Sequence, residues 1–348
     1  MHSAAWKDCG KNWVVKYRHL SAASGVLILC LASTSSLAGQ GDDAAFFQQR
    51  SQNAYNAVFG LPTVAPRLVR TAEWQISVEH SNQYAGGDAG NERLLLDGET
   101  SRLAVRHRRR IGACWQIDTT LPLISHSGGV FDDSIDNWHQ YFGFPDANRD
   151  TTAFDNLTYY YADGVGIRHN VARAQSGVGD IRLAVQHSLK CSAGIYQPRA
   201  QNMVRVGIKL PTGNPAELRG SGTVDAFVDW QSPVWEPLPQ LHTGMAMGVL
   251  VNGPTNRFAK QRPIVGYGSL GAQIVVHRKF RLIAQIDAHS GFYESNLVEL
   301  GNTAVNLAVG FRYLFDNDYT FEISISEDLA IDTTPDIVAR LALIYRPE

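Results

Sequence analysis

Three groups of side chains in this sequence have the types and the spacing to do chemistry. His80-Ser81-Asn82 sets a base beside a nucleophile, and an imidazole that takes the serine proton would arm the hydroxyl for attack on an acyl ester. Asp132, Asp133, Asp136, Asp146, Asp150 and Asp155 gather carboxylates of the kind that suit Ca²⁺. No regular ligand spacing runs through them, and a solvated acidic loop is the simpler account. Cys114 and Cys191 are a candidate disulfide if the chain matures in an oxidising compartment. Zinc spacing, a phosphate-binding loop and a dinucleotide glycine pattern are all missing, so neither a metal nor a cofactor is expected.

The chain that positions these groups has 348 residues, 44% of them apolar, with 31 Lys and Arg against 33 Asp and Glu. That balance argues against a polybasic nucleic-acid binder, and the apolar content is enough for a core. At the N-terminus Lys7, Lys11, Lys16 and Arg18 precede an apolar run from Ala22 to Ala32, and Ser36-Leu37-Ala38 puts small residues where a signal peptidase reads. Residues 1–38 are therefore expected to be a signal peptide cleaved after Ala38, since the run is far shorter than the ~20 residues a spanning helix needs. Its removal leaves 27 basic and 32 acidic side chains and, of the cysteines, only Cys114 and Cys191.

From Leu68 onward the apolar pattern has period 2. Ala72, Trp74, Ile76 and Val78 alternate with Glu73, Gln75, Ser77 and Glu79, and Trp115, Ile117, Thr119, Leu121 and Leu123 do the same. Comparable segments follow to Leu341, Leu343 and Tyr345, with turn residues such as Arg110-Ile111-Gly112, His277-Arg278-Lys279 and Asp316-Asn317-Asp318 between them. Segments of about ten residues suit a tilted strand that spans a membrane. Trp74, Trp115, Trp230, Tyr313 and Tyr345 fall near segment ends, where an interfacial girdle belongs. The expected fold is all-β, an antiparallel transmembrane β-barrel of about 12 strands over residues 69–346. A soluble sandwich would alternate too, but it explains neither the signal peptide nor the long aliphatic faces.

Two stretches break the period. Residues 39–68 precede the first strand, are polar with scattered aromatics, and are a candidate plug for the lumen. The long connection from His126 to Asp180 is expected to be an extracellular loop, with Phe131, Ile135, Trp138 and Phe142 at the spacing of a short amphipathic helix. Phe59-Gly60-Leu61-Pro62 and Phe142-Gly143-Phe144-Pro145 share a pattern, as two turn punctuators would.

Gly128, Gly129, Asp132, Ile135, Asp136, Trp138, His139, Gly143, Pro145 and Arg149, with Gly177-Val178-Gly179-Asp180 and Gly207-Ile208-Lys209-Leu210-Pro211, carry a resemblance. The chain resembles the domain-of-unknown-function 3187 family of Gram-negative outer-membrane barrels over nearly all of residues 44–346. The resemblance implies a fold and a place in the cell outer membrane, with membrane lipids and the barrel-assembly machinery as partners. It implies no activity and no catalytic residues. The His-Ser-Asn triplet is similar to the set that outer-membrane lipid hydrolases present, without their longer motifs.

With the aliphatic positions on lipid, the alternate positions line the lumen. Arg102, Arg106, Arg182, Arg205 and Lys209 would then form a basic wall opposite an acidic one of Glu73, Glu79, Asp225 and Asp229. Such a field orients dipolar solutes, although a bonded network bracing the wall would use the same residues. Gly207, Gly244, Ala246, Gly248, Ser269, Gly271, Ala308 and Gly310 make part of the inner face small, as if something approached it closely; strong curvature is the other account. The Arg108-Arg109-Arg110 run is expected to line a periplasmic turn. The functional expectation is passive transport of a small amphipathic or aromatic solute. A lipid-modifying hydrolase, and a structural or adhesive barrel working through its acidic loop, are the alternatives.

Overall fold

The structure is a computed structural model, and it describes residues 46–65, 67–129, 156–189, 202–255, 257–258, 260–329 and 333–347. Twelve strands close into one antiparallel circuit. In chain order they begin with β1 (Ala72–Ala89), β2 (Glu92–Ile111) and β3 (Trp115–Ser127). Two short strands, β4 (Thr158–Asp163) and β5 (Gly166–Val171), form a hairpin outside the circuit, and β6 (Gln175–Val178) leads into β7 (Ile181–Ser188). The circuit continues through β8 (Met203–Leu210), β9 (Asp225–Gln231) and, after the short β10 (Trp235–Leu238), β11 (Leu241–Val251). It ends with β12 (Ile264–His277), β13 (Phe280–His289), β14 (Ala304–Leu314), β15 (Tyr319–Asp328) and β16 (Ile337–Tyr345). The seam closes where β16 pairs with β1, Trp74 opposite Tyr345 and Asn82 opposite Ile337. Closure satisfies every strand edge, which a bilayer demands because lipid offers no hydrogen bonds.

The alternation read in the sequence sorts the two faces. Trp74, Ile76 and Val78 of β1, Ile117, Leu121 and Leu123 of β3, and Leu341 and Leu343 of β16 are exposed on the outside. Their neighbours Glu73, Gln75 and Ser77 are buried inside. Near the end that carries Ala72 and Tyr345 the outer aromatics form a belt, with Trp74 stacked on His107 at 4.1 Å, Trp115 tilted against His187 at 4.1 Å, and Tyr319 stacked on Tyr345 at 4.8 Å. Tight turns close β2–β3, β12–β13 and β14–β15 at this end, which marks it as the periplasmic rim. Among the described residues no helix is long and apolar enough to cross a membrane.

Two expectations need correction. The connection from His126 to Asp180 is not all loop, because β4 pairs with the upper half of β2, Tyr159 opposite Leu96 and Tyr161 opposite Leu94. The run Tyr159-Tyr160-Tyr161 hid this strand, since three equal side chains give no alternation to read. Nor are all strands about ten residues: β1 has 18 and β2 has 20, so this hairpin stands well above the membrane with β4 and β5 beside it. The helix expected at 131–142 lies outside the described residues.

Candidate functional site

The lumen contains a chain segment. Residues 46–65 run between the strands and are almost entirely buried, Phe46 and Tyr55 at 1% exposure and Phe47 and Phe59 at 0%. The segment makes one turn of helix, α1 (Ala54–Ala57), capped by Asn53 through its Oδ1, which accepts from the Asn56 amide at 2.8 Å. It rises on one side of the bore and descends on the other. Near the periplasmic rim the Phe46 carbonyl accepts from Arg312 Nη2 at 2.8 Å, and higher up Arg50 Nη1 donates to Asp287 at 3.1 Å. At the far end Asn53 Nδ2 donates to the carbonyls of Glu299 at 2.8 Å and Thr333 at 3.0 Å. The descending arm gives its Leu61 carbonyl to Arg182 at 2.8 Å and its Thr63 carbonyl to Arg205 at 2.7 Å. Phe46 and Val64 pack together with Ala246, so the arms lie side by side.

Inward glutamines satisfy the backbone of this segment, which has no sheet to join. Gln285 accepts from the Phe47 amide, Gln231 from Ala65 and Gln116 from Val69, at 2.8, 3.1 and 2.9 Å. Gln186 Nε2 donates to the Ala65 carbonyl. A primary amide offers a donor and an acceptor at once, so it can stand in for a neighbouring strand. The sequence carries this signal as Gln at inward positions of strand after strand, apart from the charge pattern.

The small inner face is partly explained by the segment. A Cβ on Gly244 would lie 2.8 Å from Phe46 Cε2, and Ala308 packs with Phe47 and Ile283. Gly207 and Gly248 instead make room for wall residues, Phe227 for the first, Asp229 and Tyr267 for the second.

The sequence-predicted charges all face inward, but they do not form opposing walls. All but Arg182 pair with a neighbour on their own side of the wall, because such partners lie much closer than the far side of the bore. Arg106 is bonded to Asp118, Arg205 to Asp229 at 2.6 Å, and Lys209 to Asp180 at 2.5 Å and Asp225 at 2.9 Å. Arg102 lies 3.8 Å from Glu79. Glu73 binds Arg108, Arg67 and, past the last strand, Arg346. Arg108 is therefore a buried lumenal side chain and not a turn residue. Arg182 differs from the rest of this set: within the described residues its Nη1 donates to the Gly60 and Leu61 carbonyls and to no carboxylate.

The extracellular mouth is aromatic. Phe59 stacks on Phe292 at 5.1 Å and meets Phe258 and Tyr293 edge-on at 5.7 Å. Tyr55 lies against Tyr161 and His169, and His169 stacks on Phe258 at 4.7 Å. In this region above the membrane, burial brings the His169 imidazole down to about 4. A second one-turn helix, α2 (Val298–Gly301), contributes Leu300 to the same core.

His80 and Ser81 do not form a dyad. Successive strand residues point to opposite faces, and His80 Nδ1 instead meets Ser101 Oγ at 2.8 Å while its Nε2 lies 3.1 Å from Glu99. Ser81 Oγ donates to the Thr100 carbonyl at 3.2 Å, and Asn82 donates to Glu99 at 3.3 Å. These groups tie β1 to β2, and the acyl-hydrolysis reading loses its nucleophile at Ser81. Cys114 takes part in a disulfide bond. Cys191 lies outside the described residues, as do Asp132, Ile135, Asp136, Trp138, His139, Gly143, Pro145 and Arg149 of the signature loop. Gly128 and Gly129 are described, Gly129 with φ +119° beside Glu99.

A closed barrel with an aliphatic exterior, an aromatic belt and a charged interior defines an integral β-barrel of the outer-membrane type. The chain belongs to the family described as Protein of unknown function (DUF3187), whose model matches residues 23–346. Among solved structures it is similar to the COG4313 outer membrane channel from Pseudomonas putida F1, with a TM-score of 0.50 and 12% identity over 81% of this chain and 96% of that one. The Ralstonia pickettii toluene transporter TbuX gives a TM-score of 0.39 and 8% identity over 89% of this chain and 97% of that one. No curated protein matches the chain.

Proposed function

We propose that the protein is a passive channel of the outer membrane for a small amphipathic or aromatic solute, held shut by residues 46–65. One observation carries this reading: the bore is filled by a segment outside the strand circuit, bonded to the wall through side chains. A barrel whose only task was mechanical could fill its lumen with wall side chains, as small barrels do. A detachable filling makes physical sense where the bore must open. The aromatic mouth supports an aromatic or amphipathic solute, because withdrawal of Phe59 with its segment would uncover the rings of Phe258, Phe292 and Tyr293 that it now covers. The similar fold of a protein named as an outer membrane channel agrees with the reading.

The test is ion conductance of the purified mature barrel in a planar bilayer, with and without residues 43–66. Conductance that rises sharply on deletion is expected. Silence in both forms would overturn the transport reading.

A further inference from the structure

Just beneath the mouth is a small cavity with room for roughly one water molecule. Its walls include Arg106, Arg182, Arg205, Asp118, Thr120 and Phe227, and its roof is Pro62 and Thr63 of the inner segment. Three guanidinium groups thus converge on one carboxylate in the lining. Arg106 spends its Nε and Nη2 on Asp118, and Arg205 spends its Nε and Nη2 on Asp229, behind the lining. Among the described residues Arg182 is the lining cation that bonds no carboxylate. Its electrostatic neighbours are Arg102, Arg106 and Arg205, all of like sign, with Asp118 the opposing one. Its Nη1 donates to the carbonyls of Gly60 at 3.3 Å and Leu61 at 2.8 Å, and both belong to the segment that must move for the bore to open.

Resting on the channel reading above, we propose that Arg182, with Arg106 and Arg205 beside it, is the binding station for the carboxylate of an aromatic acid. The inner segment occupies that station as a stand-in ligand. Phe59 places a ring in the aromatic mouth, and the next two carbonyls, Gly60 and Leu61, place oxygens on Arg182. An aromatic carboxylate has the same layout, with the advantage of charge: a guanidinium binds a carboxylate by two parallel charge-assisted bonds, roughly twice as strong as those to a neutral carbonyl. A positively charged constriction also favours anions over neutral molecules of equal size. No bond is made or broken, and the solute competes with the segment for one cation.

The experiment uses the full mature chain in proteoliposomes and compares uptake of benzoate with that of benzamide, which has the same ring and no charge. The expected result is faster, saturable benzoate uptake, with the benzoate-to-benzamide ratio falling about tenfold in Arg182→Gln and partly recovering in Arg182→Lys. Migration of heated and unheated samples on a gel shows that each variant has closed its barrel. A ratio near one in the native protein, or one that Arg182→Gln leaves in place, would overturn the station while leaving the channel intact. Failure of both probes to enter, with or without residues 43–66, would sink the channel reading. Calorimetric titration of benzoate into the detergent-solubilised native chain and Arg182→Gln then decides the station: Arg182-dependent binding supports it, and equal or absent binding rejects it.

Discussion

Arg312 and Glu322 stand opposite one another across the β14–β15 pair, with Arg312 Nε donating to Glu322 Oε1 at 2.8 Å. Arg340 approaches the same carboxylate from β16 and donates to Oε2 at 3.0 Å. All three side chains are buried and lie on three consecutive strands, one carboxylate bonding two guanidiniums, with Glu79 a further 3.6 Å from Arg340 Nε. Glu322→Gln removes the carboxylate that both guanidiniums bond in a desolvated lumen. A loss of about 3 kcal/mol is expected, read as a lower urea midpoint for the micelle-bound barrel.

Asn53 anchors the tip of the inner segment through two donated bonds and one accepted bond. Asn53→Ala removes all three and orphans buried carbonyls. Single-channel recordings are expected to show brief openings at least tenfold more often than in the native barrel. An unchanged trace would mean that the tip does not control opening.

Gly60 has φ +62°, and a Cβ there would lie 2.7 Å from Lys209 Cδ. Lys209 cannot simply step aside, because Asp180 and Asp225 hold its ammonium group. Gly60→Ala is expected to destabilise the seated segment by about 1–2 kcal/mol, with both left-handed strain and contact contributing. Faster protease cleavage within residues 46–65 would report it.

The mouth should also respond to acid. His169 is buried and neutral in the closed mouth, held down to about 4 by loss of solvation, while a wetted imidazole titrates near 6.5. Between those values the wetted form binds more protons, so the closed form loses stability as the pH falls through about 6.5 toward 4 and keeps it above. Conductance is expected to rise across that window, and His169→Phe to flatten the response.

Cys114 is in a disulfide bond, and Cys191 is the partner proposed for it. Thiol titration of the unreduced, denatured mature chain is expected to find none free. Two free thiols would separate the cysteines.

The barrel itself was legible because its cause is local: Trp74, Ile76 and Val78 face lipid in a rhythm that any one strand displays. The sign and inward aim of Arg106, Arg182 and Arg205 followed from the same rhythm. Their pairing did not, since whether Arg205 meets Asp229 or a charge across the bore depends on strand register, which no single strand records. The Tyr159-Tyr161 strand was lost for want of contrast between its faces. The inner segment was legible as an exception to the rhythm, while its bonds to Gln116, Gln231 and Gln285 depend on residues far apart in the chain.

The two arms of that segment have a topological consequence. Phe46 and Arg67 both lie near the periplasmic rim, and among the described residues the bend from α1 to Phe59 reaches the mouth. A strand passing straight through the bore would have to be threaded before the β1–β16 seam closed, and no later motion could withdraw it without a free end. A bight pushed in from one side carries no such obligation. The barrel can zip shut while empty and take in its loop afterwards, and the loop can back out again as a doubled cord.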